Sequence, residues 1–148
     1  SRLLFPHSGT FSANPVTMTA GRIAMEYFDR DAVVKLNELT QKAIDQINEA
    51  IKIAEVPVSV TGAGSMFRLH MKATPPTTYR EAYQPKEVSA LIREMLDYLF
   101  FEEKLMMVNT MSCMFSTVMT QKEIDVLSNA MLNMFRRFKP QLNHIQNL

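Results

Sequence analysis

The hydrophobic period of the chain changes at Pro57, and this change most limits what the chain can fold into. Before Pro57, apolar residues recur every three or four positions, which predicts helices. After it, apolar and polar residues alternate, which predicts a strand with one buried and one solvated face. The alternating residues are Phe67, Leu69 and Met71 against Arg68, His70 and Lys72. The fold must therefore combine helices with a sheet.

Two helices, or one bent helix, are predicted before Pro57. Asn14-Pro15 places a capping residue before a proline whose missing N–H costs nothing in the first turn. Asp29-Arg30-Asp31 interrupts the apolar stripe that follows, so a break is expected there. The two stripes are Val16, Ala20, Ile23, Ala24, Tyr27 and Phe28, then Leu36, Leu39, Ala43, Ile47, Ala50, Ile51 and Ala54.

The remainder predicts a hairpin, a helix, two further strands and a last helix. The hairpin has Val58 and Val60 in its first strand and a turn over residues 61–65. The third helix carries Val88, Leu91, Ile92, Met95, Leu96 and Leu99. Residues 105–108 and 111–119 are apolar and β-prone, and the capping box Thr120-Gln121-Lys122-Glu123 precedes the last helix. This order predicts an α+β fold, a small antiparallel sheet with helices packed on one face.

Composition excludes several classes of function. Sixteen Lys and Arg against fifteen Asp and Glu leave a net charge of +1, so no nucleic-acid or anionic-membrane partner is expected. The lone Cys113 excludes an internal disulfide and, with three histidines, gives no zinc spacing, so no metal is expected. No apolar run reaches the roughly 18 residues of a membrane span. We expect a cytoplasmic protein and, from the absent initiator Met, a cut piece.

Three groups of residues suggest chemistry, and each has a plainer interpretation. Gly62-Ala63-Gly64-Ser65 lacks the Lys-Ser/Thr of a phosphate loop and precedes a strand, so a hairpin turn is preferred. Arg68, His70 and Lys72 could together bind an anion, although a solvated strand face is more usual. Cys113 and five methionines between positions 106 and 119 are interpreted as strand core, not as a nucleophile or a soft-metal site.

The segment before the first helix is a candidate anion site. Residues 8–15 combine a glycine, several hydroxyls and a capped helix start. Free amides and the positive end of a helix favour a negative group, and Thr10 could add a hydroxyl donor. On chemistry alone, a plain helix cap and a phosphate site explain these residues equally well.

The same segment resembles a known family. Gly9-Thr10-Phe11-Ser12-Ala13-Asn14-Pro15, followed by Met18, Ala20 and Gly21, is similar to the GGT-[FL]-S-x-N-P…M-x-A-G signature of class III aminotransferases. Residues 56–67 resemble the VPVxVTGxGSMF hairpin of the branch that holds glutamate-1-semialdehyde 2,1-aminomutase and β-amino-acid transaminases. The resemblance runs from about Phe5 to about Leu142.

This resemblance implies a fold, a cofactor and partners. Residues 15–148 would be the C-terminal small domain of a fold-type I enzyme that uses pyridoxal 5'-phosphate (PLP), after an interdomain segment, residues 1–14. The resemblance also implies a homodimer that acts on a small-molecule amino donor and acceptor. Thr10, with Gly9 beside it, matches the threonine that donates to the phosphate of PLP held by the other subunit.

Two positions depart from the family pattern, and one residue is expected elsewhere. Ser8 replaces the first glycine of GGT, and Met107-Val108-Asn109-Thr110 stands where relatives often have LxPS. The family's catalytic lysine lies upstream of GGT, so we expect no catalytic residue in this chain. The resemblance thus implies a supporting part of an aminotransferase or aminomutase. The alternative is a stand-alone, non-catalytic binding or dimerisation module with the same fold.

Overall fold

The computed structural model describes residues 9–147, so Ser8 and the residues before it lie outside the described part. Four α-helices, three β-strands and a closing 3-10 helix make up that part. They are α1 (Pro15–Tyr27), α2 (Arg30–Ala54), β1 (Ser59–Ala63), β2 (Met66–His70), α3 (Lys86–Phe101), β3 (Ser112–Met114), α4 (Gln121–His144) and the 3-10 helix Ile145–Asn147. Two compact units divide between Val34 and Lys35.

The capping signals place the helix starts as predicted. Asn14 Oδ1 accepts hydrogen bonds from the backbone N–H groups of Val16 at 3.0 Å and Thr17 at 3.2 Å, so α1 begins at Pro15. Asp29 Oδ1 accepts from the Ala32 N–H at 2.8 Å, which separates α2 from α1. Two helices, not one bent helix, therefore precede Pro57. The capping box at Thr120 likewise starts α4.

One hydrophobic core joins α2, the sheet, α3 and α4. The apolar face of β2 supplies Phe67 and Leu69, which are 2% and 0% exposed. Helices α2, α3 and α4 each contribute a stripe of buried apolar residues to the same cluster. The members that no solvent reaches include Ile47, Met95, Leu99, Met131, Met134 and Phe135. This arrangement confirms the α+β fold with helices on one face of an antiparallel sheet.

The hairpin is tighter than the sequence predicts. Strands β1 and β2 are antiparallel with Ala63 opposite Met66, so only Gly64 and Ser65 form the turn. Gly64 has a φ of 62°, a conformation that suits glycine and permits a two-residue turn. The predicted turn over residues 61–65 is therefore wrong, because Thr61, Gly62 and Ala63 continue the ladder.

The two strands predicted between residues 105 and 119 are mostly absent. Only Ser112–Met114 pairs with β2, and residues 105–108 have no regular structure. Met111 has a φ of 57°, which turns the chain out of the ladder immediately before β3. The prediction of buried strand methionines is also wrong, since Met111 is buried but Met106 is 82% and Met114 58% exposed.

Gly62 is required where β1 approaches β2, and this gives a stability prediction. A Cβ on Gly62 would lie 2.5 Å from both the Met66 carbonyl oxygen and Phe67 Cβ. We expect Gly62→Ala to lower the free energy of unfolding by about 1–3 kcal/mol, because β1 must shift. Urea titration followed by circular dichroism measures this.

Gly21→Ala is the matched control, since nothing lies within 4 Å of its added Cβ. Gly21 is exposed inside α1, where alanine favours the helix by about 0.5–1 kcal/mol. The control should leave the unfolding midpoint of the sheet-containing unit unchanged. Equal stability of Gly62→Ala and the wild type would contradict the assigned close approach.

Candidate functional site

Residues 9–14 form a turn that leads into α1. The Ser12 N–H donates to the Gly9 carbonyl at 3.0 Å, and the Asn14 N–H donates to the Phe11 carbonyl at 3.2 Å. Ala13 has a φ of 58°, which redirects the chain toward the cap. A Cβ on Gly9 would lie 3.0 Å from Ser12 Oγ, so the turn is compact at the glycine.

The start of α1 is closed by its own cap. Asn14 Oδ1 occupies the N–H groups of Val16 and Thr17, and Pro15 has no N–H. These N–H groups in the first turn of α1 therefore donate to the Asn14 side chain, as the helix-cap interpretation requires. Thr10 is exposed, and its hydroxyl makes no hydrogen bond to another residue within 9–147. The hydroxyl of Thr10, like that of the exposed Ser12, therefore remains able to donate to an external anion.

A second polar group lies on the sheet face opposite the core. Thr61 of β1 and Ser112 of β3 are the cross-strand partners of Arg68 on β2. His70, farther along β2, lies with its Nε2 2.7 Å from Thr61 Oγ1. The sequence placed Arg68 and His70 on one face but assigned Thr61 to the turn. The alternation of Val58 and Val60 with Ser59 and Thr61 would have located Thr61 on this face.

This face is not uniformly solvated, contrary to the sequence-based expectation. His70 is 5% exposed, whereas Arg68 and Lys72 are half-buried. A cavity of about 270 Å³ beside His70 is also lined by residues 82–85 and 145–146. Burial, and then the positive charges of Arg68 and Lys72, lower the pKa of His70. His70 is therefore favoured in its neutral form.

An apolar cleft of about 510 Å³ lies between the segment before β3 and the start of α4. Leu105 to Val108 form one wall, and Val126 and Leu127 contribute from α4. Lys122 and Glu123 are its charged lining residues. The cleft includes Met107 and Val108, and its apolar lining suits a hydrocarbon group.

The structure also bears on a phosphate loop, a metal site and a membrane span, which the sequence analysis considered. The run Gly62-Ala63-Gly64-Ser65 lies in the β1–β2 hairpin, as predicted in preference to a phosphate loop, but only Gly64 and Ser65 form the turn. Within residues 9–147, no group of three or more His, Cys, Asp or Glu side chains could hold a metal ion. None of the helices in the described part is long and apolar enough to cross a membrane.

Known proteins with related sequences include glutamate-1-semialdehyde 2,1-aminomutases. Those of Chlamydia caviae and Archaeoglobus fulgidus are 35% and 33% identical to this chain over 78 residues, or 52% of it. The chain spans only 18% of the length of either relative. No family model matches the chain.

Solved structures with the same fold include transaminases. An omega-transaminase from Sphaerobacter thermophilus matches 89% of this chain with a TM-score of 0.80 and 30% identity. A beta-phenylalanine aminotransferase from Variovorax paradoxus matches 90% with a TM-score of 0.79 and 21% identity, which supports the fold alone. The matches cover 30% and 31% of those two chains.

Cys113 should be chemically inert in the folded chain. It is 8% exposed, and burial raises the pKa of its thiol to about 12. Because the thiolate is the reactive form, only about one thiol in ten thousand is ionised at pH 8. We expect no reaction with a chromogenic disulfide reagent in native buffer and complete reaction in concentrated urea. Rapid labelling of the native chain would contradict the assignment of Cys113 to the core.

Proposed function

Since this chain is related to the C-terminal part of the class III aminotransferases, we propose that it supports amino-group transfer in a longer, PLP-dependent enzyme. The observation that carries the proposal is the 30% identity to the omega-transaminase over 89% of the chain. The aminomutase relatives support the same assignment. The parent activity is then a transamination or an aminomutase reaction on small amino and carbonyl compounds, in a cytoplasmic homodimer.

The proposed part of the chain in cofactor binding is the turn at Gly9 and Thr10. The free hydroxyl of Thr10 suits a phosphate oxygen, because a hydroxyl donor to a charged acceptor forms a charge-assisted hydrogen bond. The compact turn at Gly9 leaves Thr10 exposed. When bound, PLP supplies the electron withdrawal that makes amino-group transfer feasible. The turn's task is to hold and orient the phosphate of PLP bound to the other subunit.

We propose that the covalent lysine comes from polypeptide outside residues 9–147. A nucleophilic lysine must lose its proton near neutral pH, which requires burial or a neighbouring cation. None of the eight lysines of the chain, all of which lie within the described residues, is buried. Lys52 and Lys139 instead contact carboxylates, Glu49 at 3.5 Å and Glu55 at 2.8 Å.

The second candidate function is a stand-alone binding or dimerisation module, and one observation favours it. Helix α1 has no buried residue, although it carries large apolar side chains. Val16 is 77%, Met25 67% and Tyr27 82% exposed. Exposed apolar surface of this kind is typical of an interface. The reading frame upstream of Ser1 distinguishes the two functions, because the enzyme requires a lysine-bearing cofactor domain there.

The first test uses the chain itself. We expect PLP mixed with this chain to give no stoichiometric covalent adduct after borohydride reduction and dialysis, because no lysine is placed for it. Mass spectrometry of the intact chain measures the adduct. A single modified lysine at full occupancy would contradict the proposed division of labour, whereas trace labelling of several exposed lysines would not.

The second test addresses Thr10 in the longer enzyme. Thr10→Ala should weaken PLP retention about ten- to a hundredfold, because one charge-assisted hydrogen bond contributes about 1.5–3 kcal/mol. Thr10→Ser is the matched control and should retain most of the affinity, since the donor remains. Equilibrium dialysis of the cofactor measures both. Equal loss in the two variants would show that the threonine methyl, not the hydroxyl, matters.

Mixed dimers then distinguish donation across the dimer from donation within one subunit. One chain carries Thr10→Ala, and the other lacks the catalytic lysine. With donation across the dimer, one site has both defects and the other has none, so activity approaches half of the wild type. With donation within a subunit, the only site with a lysine also lacks the hydroxyl. Activity limited to the weakened level would overturn the assignment.

A further inference from the structure

Met66 and Met114 lie directly opposite each other where β2 and β3 pair next to the hairpin turn. One step along the ladder, the Phe115 N–H donates to the Ser65 carbonyl at 3.0 Å. Hydrogen-bonded and non-hydrogen-bonded pairs alternate along an antiparallel ladder, so Met66 and Met114 form a non-hydrogen-bonded pair. Such pairs bring their Cα atoms to about 4.5 Å, the closest cross-strand spacing, and their side chains leave the same face of the sheet.

Both side chains of this pair are exposed, which distinguishes them from the methionines of the core. Met66 is 57% and Met114 58% exposed, whereas Met95, Met131 and Met134 are 0% exposed. The expectation that methionines of this region fill the strand core was the reason for setting aside a soft-metal site. That reason does not hold at Met114, because its sulfur has room for an external ion.

Met114 borders two cavities, and each is lined by a second exposed methionine. A cavity of about 610 Å³ along the three strands is lined by Met66 and Met114. The apolar cleft of about 510 Å³ is lined by Met114 and by Met106, which is 82% exposed. The acidic residue in the lining of the cleft is Glu123, whose carboxylate accepts hydrogen bonds from the Thr120 N–H and hydroxyl. Thioethers are therefore the uncommitted soft donors around Met114.

The chemistry of these donors selects a soft cation with a single charge. Methionine sulfur prefers Cu(I) to the hard ions that carboxylate and carbonyl oxygens bind. A methionine side chain has three rotatable bonds, so two sulfurs from opposed positions can turn toward one ion. Arg68 follows Met66 by two positions and lies on the same face of β2. Its charge repels a divalent ion more strongly than a monovalent one.

We propose that Met66 and Met114, with Met106 as a third donor, form a binding site for a soft monovalent cation such as Cu(I). The cross-strand pair supplies two sulfurs at a spacing fixed by the ladder, and Met106 completes the coordination from the cleft. Thioethers carry no proton, so binding requires no deprotonation, unlike binding at a histidine or a thiol. The site includes neither Gly9 nor Thr10 and uses no PLP, so it does not depend on the proposed function.

The test follows the methionine methyl resonances of the ¹³C-methyl-labelled chain by NMR. Silver nitrate in chloride-free buffer is the probe, because silver(I) has the charge and softness of Cu(I) and is not oxidised by air. We expect saturable shifts at Met66, Met114 and Met106, with the same affinity at about pH 5.5 and about pH 7.5. Met18 and Met25, which are 62% and 67% exposed on α1, are the internal control. Equal shifts at Met18 and Met25, or binding lost at the lower pH, would overturn the thioether site.

Matched variants identify the donors. Leucine removes the sulfur at similar volume, so Met66→Leu and Met114→Leu should each weaken silver binding about tenfold or more. Met106→Leu should weaken it several-fold, and Met25→Leu should bind as the wild type does. Cys113→Ala should also bind as the wild type, because its buried thiol is protonated. Unchanged affinity in Met114→Leu, or loss of binding in Cys113→Ala, overturns the proposal. If Cys113→Ala fails to fold, Met114→Leu and the comparison of the two pH values decide.

Discussion

The apolar face of β2 is the part on which the rest of the described structure depends. Phe67 and Leu69 are buried in the core that α2, α3 and α4 share. Because successive residues of a strand point to opposite faces, burying these two forces Arg68 and His70 onto the other face. The hydrophobic core and the polar group on the opposite face of the sheet are thus two consequences of one alternating pattern. A one-residue slip in register would lose both.

The polar group on the sheet and the turn at Gly9 and Thr10 differ in how firmly the described structure holds their residues. The polar group on the sheet, with Thr61 and Ser112 on either side of Arg68, is assembled from three strands of one compact unit, so its residues are held by ladder hydrogen bonds and a packed core. The turn at Gly9 and Thr10 belongs to the other unit, in which α1 has no buried residue. A hydroxyl on such a turn can position a phosphate only if other groups complete the site. That requirement agrees with a threonine that serves a cofactor bound elsewhere.

Sequence patterns located parts of these sites and missed others for identifiable reasons. The capped helix start after Gly9 and Thr10 was predictable, because Asn14 and Pro15 act through neighbours two or three positions away. Thr61 was assigned to the turn, since Gly62 looked like a turn residue. The structure instead uses Gly62 inside β1, where a Cβ would meet β2 at 2.5 Å. That requirement comes from the facing strand and leaves no local signal.

The sequence by itself determined the helices, the caps of α1 and α4 and the presence of a hairpin after Pro57, because each depends on residues close along the chain. Only the tertiary structure decided the fate of residues 105–119. Only Ser112–Met114 form a strand, because β2 has one free edge and the chain turns away from that edge before Met111, whose carbonyl still accepts from the Leu69 N–H. It also decided the burial of His70, which is 5% exposed and shares a cavity with residues 82–85 and 145–146. Which strand edge is free and which side chain is buried depend on segments distant in sequence, so periodicity along one stretch of chain cannot predict either.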